Sequence, residues 1–137
     1  MPHLLNKIRQ NNDVAEVIFA IGDAKIVGQS QVLQKGSKID VGQVIETGAN
    51  GHVHLRFVDK AFVSLRPESK LEVVDYYYDD NQPSHNRVKF TLYQGTSRLI
   101  TGKAGQANKS AFRLNTPIAA VGIRGTDFIV QTTQALT

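Results

Sequence analysis

The sequence predicts a single all-β domain of about ten to thirteen short strands, and three observations carry that prediction. Short runs rich in Val and Ile recur from Asp13 onward. Turn signals separate them about every 8 to 12 residues, the spacing of sandwiches and barrels. After residue 13 no helical periodicity of useful length follows.

Length and composition fit that class. A chain of 137 residues suits one domain, and at this size it buries roughly two thirds of its unfolded surface without a staple. Cysteine and tryptophan are absent, which excludes a disulfide framework and thiol chemistry. The net charge of +4 admits an anionic partner such as nucleic acid, lipid head groups or a wall polymer. The basic residues form no dense run, however, and read as a mildly basic surface.

Residues 4–12, "LLNKIRQNN", suit a short helix or an extended arm, so the chain divides into an arm over 1–13 and one β domain over 14–137. "VAEVIFAIG", "AKIVG" and "SQVLQKG" are glycine-punctuated strand candidates, and "SKIDVGQVIETGANG" places Gly42, Gly48 and Gly51 at turn-like intervals. "HVHLRFV" alternates, with Val53, Leu55 and Phe57 on one side and His52, His54 and Arg56 on the other. A turn at Asp59-Lys60 leads into "AFVSLRP", and "KLEVVDYYY" alternates again. Residues 79–86, "DDNQPSHN", are polar, contain Pro83 and read as a loop. "RVKFTLYQG", "SRLITG", "SAFRLNTP", "IAAVG" and "TDFIVQTT" follow as strands, and "GKAGQANK" is expected to be an exposed, mobile tip.

The stretch "NTPIAAVGIRGTDFIV" carries the densest punctuation. Thr116-Pro117 stops a strand because proline cannot donate to the ladder. Ile118–Val121 resumes β structure, and Gly122 and Gly125 flank Ile123-Arg124 as a bend or bulge. Thr126 and Asp127 are expected to bond local backbone groups there, and Phe128 and Val130 to return to the core. A phosphate loop would feed a helix and supply a lysine, and neither is present. A nucleophilic Thr126 would need a base nearby, and no histidine lies in the segment.

"FRLNTPIAAVGIRGTDFIV" resembles the closing signature of the FecR family domain. "LQKGSKIDVGQVIETGANGHVHLRFVDKAFVSLRPESKLEV" and "LYQGTSRL" are similar to the family's earlier and middle patterns, so the resemblance runs over about residues 22–131. One departure is Asp59-Lys60-Ala61, where the family usually has Asp-Gly-Ser and a tighter turn. The resemblance implies a jelly-roll-like sandwich of short antiparallel strands, extracytoplasmic, in a bacterial envelope protein. Its signature residues here are Thr116, Pro117, Gly122, Arg124, Gly125, Thr126 and Phe128. We expect a structural role for Arg124, its guanidinium pinning the bend through carbonyls or a carboxylate. Some family members are inner-membrane regulators with a sigma-factor-binding segment and one membrane span. This sequence shows neither, so the regulator role does not carry over to it. Other members are larger envelope or secreted proteins, and this chain is expected to be a periplasmic or extracellular segment of a longer protein of that kind.

The remaining constellations are weaker. His52 and His54 share a strand face and could chelate a metal, but nothing marks a third ligand. Asp75, Asp79 and Asp80 could offer oxygens to calcium, but at no EF-hand spacing. Tyr76 and Tyr78 share one side of a strand and Tyr77 lies on the other, so Tyr76–Tyr78 form a candidate binding surface whose bland reading is core packing. No carboxylate pair, nucleophile elbow or zinc-protease helix supports catalysis. Basic residues are not interleaved with aromatics as nucleic-acid binding requires. No apolar run is long enough to span a membrane, no h-region marks a signal peptide, and no cofactor or metal is expected. Two functions remain: a non-enzymatic module binding another envelope protein through an edge strand or loops, or a module binding cell-wall glycan or polysaccharide.

Overall fold

A computed structural model describes residues 13–121 and 125–133. They form eleven strands: β1 (Asp13–Ile21), β2 (Ala24–Ile26), β3 (Lys38–Asp40), β4 (Val44–Thr47), β5 (His52–Phe57), β6 (Phe62–Leu65), β7 (Lys70–Tyr77), β8 (Arg87–Ile100), β9 (Phe112–Thr116), β10 (Ala119–Val121) and β11 (Asp127–Thr132). One short helix, α1 (Lys103–Ala107), and 3-10 turns at Pro83–His85 and Lys109–Ala111 complete the described elements. The all-β class is as predicted. The expected N-terminal arm lies outside the described residues apart from Asp13, which opens β1. No helix among the described residues is long and apolar enough to cross a membrane.

Strand β8 organises the sheet. The sequence suggests two strands broken near Gly95, but the chain runs through as one strand of 14 residues. Its first half pairs with β7 on one edge and with β9, in parallel, on the other. Its second half pairs with β6 and β11. One half-sheet is therefore β2-β4-β7-β8-β9-β10 and the other β3-β1-β5-β6-β8-β11, with β8 common to both. Gly95 sits where the pairing changes, with φ of 94°, and its missing side chain leaves room for Ser69.

Alternation fills the core between the halves. Val53, Leu55 and Phe57 of β5, Leu71 and Val73 of β7, and Val88, Phe90 and Leu92 of β8 are buried, while their sequence neighbours point outward. Phe57 and Tyr76 stack at 4.6 Å, joining β5 to β7, and Phe90 meets both edge-on at 5.5 and 6.0 Å. Phe112 lies 6.0 Å from Phe90, and Phe128 5.9 Å from Phe112. That contact is how β11 joins the core, as expected of Phe128 and Val130.

The segment read as an exposed tip is instead tucked in. Residues 103–107 make one helical turn, with Ala104 and Gly105 buried. A single turn is too short for periodicity to reveal, and it is held from outside. Asp59 is only 1% exposed. Its Oδ1 accepts the Tyr76 hydroxyl at 2.5 Å and the Ala61 N–H at 3.2 Å, and its Oδ2 accepts the Ala104 N–H at 3.0 Å. The Lys103 N–H donates to the Asp59 carbonyl at 2.8 Å. Burial, then the adjacent carboxylate, pushes the Tyr76 phenol far above its ordinary pKa, so the hydroxyl stays a donor. The turn at Lys60 is also tight, contrary to expectation. The Lys60 N–H closes onto the Phe57 carbonyl at 2.9 Å, with Lys60 itself in the left-handed region at φ 76°.

Candidate functional site

Two outward faces carry the surface chemistry, one on each half-sheet. On the β1-β5-β6-β8-β11 face, the register aligns Phe19, His54, Ser64, Arg98 and Ile129 in one row across five strands. A neighbouring row begins with Ile21 opposite His52. Phe19, Ile21 and Ile129 are large apolar side chains left exposed, Ile129 at 64%. His52, His54, Arg66, Arg98 and Ile129 line a shallow groove of about 350 Å³.

His52 and His54 do share this face, as the alternation predicts. His54 is wedged 4.9 Å from Phe19 and 5.3 Å from Phe62. Among the described residues no group of three or more His, Cys, Asp or Glu converges on a common point. Desolvation first, and then the charge of His52, holds the His54 pKa below its ordinary value. The unfolded chain then takes up the proton more readily than the fold does. The contribution of neutral His54 is present above about pH 6.5 and is lost as pH falls. We expect the melting temperature to drop between about pH 8 and pH 5, and to drop less in His54→Phe, which keeps the packing against Phe19 and Phe62. Thermal melts across that range check it.

The open edge of this half-sheet is β11. It pairs with β8 from Asp127↔Ile100 to Thr132↔Gly95, and its other edge has no partner strand among the described residues. The other outer strands, β2, β3 and β10, are only three residues each. The Asp127 carboxylate takes a fork of bonds from Arg98, at 3.0 and 2.7 Å; residues 122–124 of the bend that it is expected to fix lie outside the described residues. That bidentate pair holds the Asp127 carboxyl below its usual range. The Thr126 carbonyl accepts the Thr101 N–H at 2.9 Å.

Of the signature residues, Thr116 ends β9, its hydroxyl facing the Ala119 carbonyl at 3.4 Å, and Pro117 is exposed beside Ile118, itself 87% exposed. Gly125 takes a positive φ of 85°. Gly122 and Arg124 lie outside the described residues.

The three tyrosines separate. Tyr76 is 5% exposed and belongs to the core, so it leaves the candidate binding surface; its alternate position on β7 puts it under Phe57. Tyr77 is exposed, with the Arg87 guanidinium 5.1 Å from its ring. The Tyr78 hydroxyl donates to Asp80 at 3.1 Å. The three aspartates do not gather: Asp75 holds Arg87 at 2.7 Å, Asp79 accepts the Asn81 N–H, and Asp80 accepts Tyr78.

The β7-β8-β9 face shows a feature that the scattered charges hide in sequence. Register places Asp75 beside Lys89, and Lys89 directly beside Arg113. Together with Arg87 they line a groove of about 310 Å³. Residues 89 and 113 are far apart along the chain, and only the parallel β8–β9 pairing, which no local pattern announces, brings them together.

The family model described as FecR protein matches residues 43–137, more than half of the chain. No curated protein and no solved structure matches the chain.

Proposed function

The chain belongs to the FecR family, and on that premise we propose that it is a non-enzymatic extracytoplasmic module that docks against another envelope protein in signalling or assembly. Residues 14–137 act as the one domain that does so. Family membership supports the envelope and signalling setting. The observation that supports contact through a strand edge is β11. Folded proteins blunt exposed edges by keeping them short or by covering them. β2, β3 and β10 follow that rule at three residues each, whereas β11 offers six, with the exposed Ile129 midway. An extended segment of a partner adds to such an edge through main-chain bonds, and side chains on alternate positions select it. Phe19, Ile21 and Ile129 supply the apolar contacts that a protein interface needs.

A photo-cross-linking amino acid at position 129, introduced in the envelope of the source cells, tests this reading. Adducts to a discrete envelope protein are expected from position 129 and not from position 58, where Val58 is also exposed but lies at the β5–β6 turn. Equal labelling from both positions, or none from 129, would remove the edge from the proposal.

A further inference from the structure

We infer that the groove on the β7-β8-β9 face binds an acidic saccharide, a sugar bearing carboxylate or phosphate, with Lys89 and Arg113 as its anion contacts. Three independent observations meet there. Lys89 and Arg113 stand directly opposite each other on neighbouring strands. Like charges so placed oppose folding, and an anion between them removes the conflict. Neither has a carboxylate within ion-pairing distance among the described residues, because the Asp75 carboxylate is taken by Arg87.

The second observation is a buried donor. Asn86 is 3% exposed and lines the same groove. Its Oδ1 accepts the Asp79 N–H at 2.8 Å, which fixes the amide orientation, since an N–H can only meet the oxygen. Its Nδ2 is then left buried without an acceptor among the described residues. Buried donors are almost always paired, and an unpaired one beside a groove calls for an acceptor from a ligand.

The third is what the groove lacks. No aromatic side chain lines it, its apolar residues are only Val88 and Ala111, and the nearby exposed Tyr77 has its ring covered by Arg87. Protein interfaces are anchored by buried apolar and aromatic side chains, so an acidic protein segment finds no anchor here. A hydroxyl-rich, negatively charged saccharide satisfies both the cations and the Asn86 donor. This site is on the opposite half-sheet from β11 and stands or falls separately from the docking edge.

Titration calorimetry with polygalacturonate, neutral dextran and polyglutamate, at low and physiological salt, tests the assignment. Polygalacturonate is expected to bind, dextran not to bind, and polyglutamate to bind at least about fivefold more weakly. The double variant Lys89→Gln/Arg113→Gln should lose about tenfold or more in affinity for polygalacturonate. It should also melt at or above the wild-type temperature, because it removes the like-charge contact. The control Lys25→Gln/Lys35→Gln removes the same charge elsewhere and should change affinity by less than about twofold. Equal losses in the two double variants would reduce the effect to diffuse attraction and overturn the site. Polyglutamate binding as tight as polygalacturonate would overturn the saccharide assignment, and absence of polygalacturonate binding would overturn both.

Discussion

Gly95→Ala is expected to lower the melting temperature by about 15 °C. Two costs combine. Gly95 has φ of 94°, a region that L side chains enter only with strain. A Cβ there would also run into Ser69, within 2.5 Å of its Cα. That contact is with backbone, so rotating the Ser69 side chain does not relieve it. Strain of this kind costs about 1–3 kcal/mol and overpacking about as much again, for a total near 4 kcal/mol. The site sits where β8 passes from one half-sheet to the other, so a local shift there moves the pairing of β6, β7 and β11 together. Gly28→Ala separates the two costs. Gly28 has nearly the same φ, 93°, and nothing within 4 Å of the added carbon, so its loss should be only about 1 kcal/mol. Denaturant melts of both variants decide the matter; similar losses would mean that the close approach of β8 to Ser69 contributes nothing.

Asp59→Ala is the second large effect, expected at about 3–5 kcal/mol. The carboxylate gathers the Tyr76 hydroxyl, the Ala61 N–H and the Ala104 N–H in a site closed to water. Removing it strands three donors, and each buried donor left unpaired costs about 1–3 kcal/mol, partly recovered by relaxation. Asp59→Asn keeps the size but presents an N–H pair where one of those donors points, so it should recover only part of the loss. The damage should spread to α1, which has a single turn of its own hydrogen bonding. Amide exchange at residues 103–107 should accelerate in Asp59→Ala well beyond the change at β4 or β5. Uniform acceleration across the domain would show that Asp59 supports the whole fold and not the helix in particular.

Where local pattern fixes structure, it was legible. Alternation in "HVHLRFV" puts His52 and His54 outside and Leu55 and Phe57 inside, as found. Thr116-Pro117 ends a strand because the proline nitrogen has no hydrogen to give. Long-range placement was not legible. The continuity of β8 through Gly95 depends on Ser69, and α1 depends on Asp59, each contributed by a distant segment. Tyr76 and Tyr78 share a strand side, but only packing decides that Tyr76 closes the core against Phe57 while Tyr78 meets Asp80. The cationic groove is the same kind of case. Arg87 and Lys89 are two residues apart, an ordinary solvated pair in sequence, until β9 lays Arg113 beside them.

The most direct test of the docking edge is hydrogen exchange on β11, free and in complex with the envelope protein captured through position 129. A strand added to the edge would bond the outward amides of residues 127–132, and these should slow by about tenfold or more, while β2 and β3 exchange as before. Protection that falls on β2, on β3 or on the loops, with β11 unchanged, would contradict the account.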